Sequence, residues 1–355
     1  MTSQLFSFAK CWGPGDFNPG EYRRITASKG WPSPTLVERE MLLYDTLHAL
    51  TAYAPERLIF KGGTMISRVY VHEPVRFSWD LDFDGRGLNS PEDVLNMLKE
   101  TNKGLVEEGA TVDLTVGHHK ITLGLFELDQ EKYVPERRPH VIPVRRCLPA
   151  LTLGAELPAY LRKSGVNLTE PDVTSSLMGT RRSLGQMIHV EEVRAEIGLG
   201  EEAPAHEKPT SIRSLLEPEK TPLTRVTDQP VSSVDDVLAD KVDSISKPPT
   251  PEGMVDMAKD LFDTYHLLKI PHNPETINER LETFITHRKD LDSLRELYEK
   301  AAQNIKKTRA QTALIFSEHS LFHQARERLD WEELCLSTNQ KLLEYAQAAP
   351  APPNK

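Results

Sequence analysis

Cysteine is scarce in this chain: Cys11, Cys147 and Cys335 are its three, far apart and odd in number. That excludes a disulfide framework and a paired-cysteine zinc site, and it predicts a reducing, cytoplasmic setting. Long apolar runs are missing too, so no segment is a candidate membrane span. The opening MTSQLFSFAKCW lacks the basic start, apolar core and small-residue cleavage site of a secretory leader. Positive charge is in deficit. A formal net charge of −10 excludes nucleic-acid binding by bulk charge, so any such contact needs a local basic patch. The P-loop spacing G-x-x-x-x-G-K-[ST] is absent, and Gly62-Gly63 has no third glycine to complete a dinucleotide fingerprint. The histidines show no metal-ligand spacing, and His118-His119 reads as surface.

What is present is a chain of 355 residues, long enough for two or three packed lobes. Residues 1–34, rich in glycine, proline and aromatics, read as an irregular arm. Leucines and Met41 at helical spacing predict a helix from Thr35 to Tyr53. Leu58-Ile59-Phe60 reads as a buried strand, Gly62-Gly63 as a turn, and Met65 to Val71 as a helix behind it. Phe77 to Phe83 alternates like a strand, and a helix capped by Ser90 follows. Thr111–Val116 and Lys120–Leu128 read as paired strands. Residues from about 130 to 188 have no clear period and read as a partly ordered insertion. Glu191 to Leu199 alternates again, with Arg194 and Glu196 on its polar face. Residues 200–229 read as loop. A helix capped by Ser233 runs to Ile245, another covers Met254 to Leu268, and the chain stays helical to Ala346. The domains expected are thus a core over 35–230, a helical domain over 231–346 and a disordered tail over 347–355.

Asp80 and Asp82 lie two apart, so on a strand they share a face while Leu81 and Phe83 enter the core. Adjacent carboxylates repel unless a cation lies between them. Magnesium suits, because it takes oxygen ligands and completes its shell with phosphate and water. Gly62 and Gly63 lack Cβ atoms, so backbone N–H groups can approach phosphate oxygens, and Thr64 adds a hydroxyl. Lys241 falls on the apolar stripe of its helix, where its charge needs an anion such as a triphosphate. Arg68 and Arg76 could steer phosphate or pair with nearby acids. Ser78 could orient the carboxylates. The arginine pairs Arg137-Arg138, Arg145-Arg146 and Arg181-Arg182 are the only local basic signal, either a solvated loop or an RNA contact.

The succession of strand, Lys61-Gly62-Gly63-Thr64, helix and Arg76-Phe77-Ser78-Trp79-Asp80-Leu81-Asp82-Phe83 resembles the AbiEii/AbiGii toxin family of nucleotidyltransferases, in the DNA polymerase β-type superfamily. In that family a later strand adds an acidic residue, followed by a helical lysine and an Asp-bearing helix. Glu196, Lys241 and Lys259-Asp260-Leu261-Phe262-Asp263 match in that order, and the resemblance spans residues 36–128 and 190–270. It implies an α+β fold: a polymerase-β-like core with a mixed sheet, then a helical C-terminal lobe. It implies magnesium held by Asp80, Asp82 and Glu196, and an NTP held by Lys61, Gly62, Gly63, Thr64, Arg68, Ser78, Lys241 and Asp263. Asp260 joins Asp80, Asp82, Glu196 and Lys241 as a catalytic residue. The implied reaction moves an NMP from an NTP to an acceptor hydroxyl, on RNA such as the tRNA 3′ end. The implied biology is a toxin of a toxin–antitoxin or phage-defence system with a cognate antitoxin.

Two other readings remain open on the residues. One is the same chemistry on a protein side chain or a small molecule. The other is a protein that binds nucleotide or RNA without turnover, against which the intact Asp80 and Asp82 argue.

Overall fold

The computed structural model describes residues 19–54, 56–71, 76–116, 119–150, 189–200, 206–212 and 226–350. The chain divides into two compact units. The first comprises residues 1–60, 79–203 and 208–230; the second comprises 61–78, 204–207 and 231–355. The short stretch 61–78 therefore groups with the C-terminal residues although both its sequence neighbours belong to the first unit.

The first unit is built on a sheet. Among the described residues the strands are β1 (Leu58–Lys61), β2 (Asp80–Arg86), β3 (Val112–Val116), β4 (His119–Leu123), β5 (Phe126–Leu128), β6 (Val141–Ala150), β7 (His189–Gly200), β8 (His206–Ile212) and β9 (Val226–Ser232). Seven of them form one sheet in the order β5-β6-β7-β2-β1-β9-β8, while β3 and β4 pair separately. The sheet is mixed: β2 runs parallel to β7, and β6 antiparallel to it. Strands β1, β2 and β7 send Leu58, Ile59, Phe60, Leu81, Phe83, Val193, Ala195 and Ile197 into the core. Phe60 and Phe83 meet ring to ring at 5.3 Å.

Helix α1 (Pro19–Lys29) and helix α2 (Pro34–Tyr53) precede β1. Ser33 caps α2 by accepting from the Thr35 N–H. Thirteen of the twenty residues of α2 are buried, acidic Glu38, Glu40 and Asp45 among them, so it is a core helix rather than a surface one. Helix α4 (Pro91–Glu107) opens with a full capping box between Ser90 and Asp93.

The second unit begins with α3 (Gly62–Met65), one α-helical turn that continues into a π-type turn, Ile66–Tyr70. Its body is helical: α5 (Val234–Ser246), α6 (Met254–Leu267), α7 (Pro274–Thr286), α8 (Leu294–Glu318) and α9 (Trp331–Ala348). Phe262, Phe316, Phe322 and Trp331 form an aromatic cluster in its core. No described helix is long and apolar enough to cross a membrane.

Several sequence expectations need correction. The arm holds α1, in which Ile25 is buried, as is Trp31 after the helix. The segment read as a partly ordered insertion supplies β6, which lies between β5 and β7 in the sheet. Residues read as loop supply β8 and β9. Pro209 and Pro230 hid these two, and β8 lies at the sheet edge, where proline is tolerated. Strand β2 starts at Asp80 rather than Phe77, because the Phe77 N–H bonds to the Leu321 carbonyl instead of a sheet neighbour. The expected disordered tail at 347–355 overlaps the end of α9, and residues 351–355 lie outside the described residues.

Candidate active site

In the first unit, the acidic face grows from the register of two parallel strands. Along β2 exposure alternates: Asp80 is exposed, Asp82 and Asp84 half-buried, Leu81 and Phe83 wholly buried. The expected side-chain alternation is therefore present, and Asp80 and Asp82 share a face. On β7, Arg194 pairs with Asp80 and Glu196 with Asp82. Two carboxylates are thus brought into register across adjacent strands.

Glu196 is not left open. Arg138, from the loop between β5 and β6, grips it with two hydrogen bonds, Nη1 to Oε1 at 2.9 Å and Nη2 to Oε2 at 2.6 Å. Those bonds and the charges of Glu196 and Asp82 raise the Arg138 pKa above its usual value, against some opposition from burial. Among the described residues no group of three or more His, Cys, Asp or Glu is arranged to hold a metal ion. The donor set nevertheless suits magnesium in kind: aspartate oxygens on one strand face, with a third carboxylate in register. Asp80 and Asp82 are oxygen donors of the kind magnesium takes. Glu196 can join them only if Arg138 lets go.

In the second unit, the expected nucleotide-binding residues sit in a dense charge network. Arg76, buried, makes a bidentate pair with Asp263, Nε to Oδ1 at 2.8 Å and Nη2 to Oδ2 at 2.6 Å. Lys241 approaches Asp263 at 3.0 Å and Asp260 at 2.6 Å. Ser244, one helical turn after Lys241, donates its hydroxyl to the other oxygen of Asp260. Burial alone would lift the Asp263 carboxyl, but Arg76 and Lys241 hold it down to about 2. Burial would likewise lower the Lys241 pKa, yet Asp260 and Asp263 keep it above the ordinary lysine range.

The glycine turn packs on this network. Gly62 has φ 76°, a left-handed conformation that side-chain-bearing residues resist. A Cβ on Gly63 would stand 2.0 Å from the Arg76 Nη2. That guanidinium is locked by Asp263 and cannot step aside cheaply.

These positions revise several expectations. Lys241 needs no triphosphate to satisfy its charge, because two aspartates already do so. Asp263, expected to hold nucleotide, is buried between Arg76 and Lys241. Asp260, expected as a catalytic residue, is half-buried, and its oxygens take Lys241 and Ser244. Arg68, also expected at the nucleotide, is 2% exposed and bonds the Thr64 carbonyl and Ser67 hydroxyl. Thr64 is wholly buried, which takes its hydroxyl away from solvent. Lys61 and Gly62 remain part-exposed, as does Ser78. Arg145 and Arg146, read as either a solvated loop or an RNA contact, belong to β6. Arg145 pairs with Glu127 and Glu192, and Arg146 with Asp45 in a bridge sealed from solvent. Arg181-Arg182 lies outside the described residues. The pairing of Arg138 with Glu196, and Ser244 altogether, went unrecognised. Ser244 carried a signal, its i+3 spacing from Lys241. Arg138 carried none beyond its charge.

A mixed sheet bears an Asp-x-Asp strand and is followed in the chain by a helical body with a lysine and paired aspartates, and a family match makes this chain a nucleotidyltransferase. The chain belongs to the AbiEii family of nucleotidyl transferase toxins of type IV toxin–antitoxin systems, whose model matches residues 47–135 and 152–344. Asp80, Asp82, Glu196, Lys241, Asp260 and Asp263 all lie within the matched stretches. A crystal structure of an H. pylori protein, described as a candidate nucleotidyltransferase, is similar at 13% identity and TM-score 0.42, covering 87% of this chain and 97% of that one. The MenT4 nucleotidyltransferase toxin of Mycobacterium tuberculosis is similar at 13% identity and TM-score 0.41, covering 94% of this chain and 99% of its own. No curated protein matches. Membership makes this chain a nucleotidyltransferase toxin, with an NTP as substrate and an antitoxin as partner.

Proposed function

We propose that this toxin transfers an NMP from an NTP to a hydroxyl of RNA, with the tRNA 3′ end as the leading acceptor, and that it does so with magnesium. The observation that carries the proposal is the shared face of Asp80 and Asp82 on β2, with Glu196 in register on β7. The acceptor oxygen attacks the α-phosphorus, the bond from that phosphorus to the β-bridging oxygen breaks, and pyrophosphate leaves. Asp80 and Asp82 would hold magnesium, which when bound neutralises phosphate charge and sharpens the attacking oxygen. Glu196 is the carboxylate for the acceptor's proton or for a second cation.

In the second unit, the part-exposed start of the glycine turn, Lys61 and Gly62, is proposed to carry phosphate, with the buried Gly63 and Thr64 supporting it. Asp263 and Arg76 are assigned to holding Lys241 and the turn in place. Lys241 presents charge to the triphosphate by exchanging an aspartate for phosphate, and Asp260 guides that exchange. The toxic outcome would be RNA ends that no longer serve translation, which suits phage defence.

The test incubates the protein with each α-labelled NTP, magnesium and total RNA. Label on RNA is expected. Label on the protein or on a small molecule would move the acceptor elsewhere, and binding without any transfer would favour a non-catalytic protein.

A further inference from the structure

Arg138 is placed to decide what Glu196 can do. Its loop is pinned at both ends: the Asp129 N–H bonds the Pro143 carbonyl, and the Leu199 N–H bonds the His140 carbonyl. Within it, the Arg138 N–H bonds the Val134 carbonyl, and the Arg138 carbonyl accepts from Val141. The arginine therefore leaves from an anchored turn. Its guanidinium takes both oxygens of Glu196, whose β7 position is in register with Asp82. The pair is open to solvent, with the arginine side chain 56% exposed and the glutamate 28%. A solvent-facing bidentate pair is specific in geometry but modest in strength, so it can exchange partners. Arg138 also lies in the gap, residues 136–151, that the family model leaves unmatched.

We propose that Arg138 is a built-in cation that holds Glu196 in place of a second divalent ion, so that Glu196 joins the aspartates only when Arg138 moves to an anionic ligand. This rests on Asp80 and Asp82 holding the divalent ion. The occupant that releases Arg138 is a polyphosphate, because guanidinium pairs with phosphate in the same two-pronged geometry as with carboxylate. Arg138 is then a positioning residue: it keeps Glu196 from a metal until the triphosphate is present.

The test titrates Mn2+ into the full-length protein and follows free Mn2+ by electron paramagnetic resonance, without nucleotide. Wild type should bind Mn2+, and Asp82→Asn should lose that binding. Arg138→Gln should tighten Mn2+ or add a second site, with a gain of about fivefold, the scale of a half-exposed arginine–carboxylate pair. Glu196→Gln should abolish the gain in the double variant, and Arg137→Gln, removing the neighbouring charge, should give none. Circular dichroism melts establish that each variant is folded. An unchanged or weaker affinity in Arg138→Gln overturns the proposal while leaving the aspartate site standing. An equal gain in Arg137→Gln also overturns it, since bulk charge would then suffice. Wild-type binding that survives Asp82→Asn sinks the aspartate site itself, and this proposal with it.

Discussion

At the scale of single residues, the densest chemistry is the quartet Arg76, Lys241, Asp260 and Asp263, in which Arg76 and Asp263 are buried and Lys241 and Asp260 half-buried. Asp263 neutralises two cations at once. Asp263→Asn leaves both less compensated and should cost about 3–5 kcal/mol, the range for breaking a buried ion pair from one side. Urea unfolding measures this, and a loss below about 1 kcal/mol would show that water reaches the network. The same residue sets an acid limit. Its folded pKa lies near 2 against 3.8 for an ordinary aspartate, so its contribution is complete above the higher value and lost as pH falls through the lower. Wild type should therefore lose stability more steeply than Asp263→Asn between those values. Equal slopes would mean that Asp263 is not the group titrating. Gly63→Ala drives a methyl into Arg76 and should cost about 1–3 kcal/mol, read as a lower melting temperature. Gly63 was legible from the sequence as a glycine that something must approach. That the visitor is Arg76 was not, because a clash partner 13 positions away is invisible to local pattern.

Among the elements, what the sequence showed well was what alternation and capping encode. Strands β2 and β7, helix α5 with its Ser233 cap and helix α6 all lie close to their predicted positions. Strand β6 was missed because its pattern is misleading. Val141-Ile142-Pro143-Val144-Arg145-Arg146-Cys147-Leu148 places two arginines and a proline in a strand interior. The arginines are tolerated because each meets acids, and Arg146 reaches Asp45 on α2 at 2.8 Å with neither side chain exposed. Arg146→Met alone should cost about 3–5 kcal/mol by stranding Asp45. Adding Asp45→Leu should restore most of the loss, since an apolar pair avoids the desolvation of two charges. Failure of the double variant to recover, measured by denaturation, would mean that this bridge fixes the packing of β6 on α2. The arginine pairs illustrate the general difficulty. Their charge is legible, but whether it faces water, a carboxylate or RNA depends on strand register, which only the fold supplies.

Over the whole molecule, the composition and the fold give a consistent account. An acidic chain with few cysteines and no membrane-length apolar helix among its described residues carries a nucleotidyltransferase sheet and a helical body. The order of motifs made the family legible, because order survives when individual motifs are weak. The roles within the site were less legible: the apolar stripe singled out Lys241 and the family resemblance pointed to Asp260 and Asp263, but neither could say that they satisfy one another. The central claim is nucleotidyl transfer through Asp80 and Asp82. The most direct measurement supplies NTP labelled at the α- or the γ-phosphate, with magnesium and RNA, and counts label on RNA against pyrophosphate released. The account predicts α-label on RNA, one pyrophosphate per nucleotide added, and a loss of about a hundredfold or more in Asp82→Asn with its melting temperature unchanged. Transfer of the γ-label, or the same product from wild type and Asp82→Asn, would contradict it.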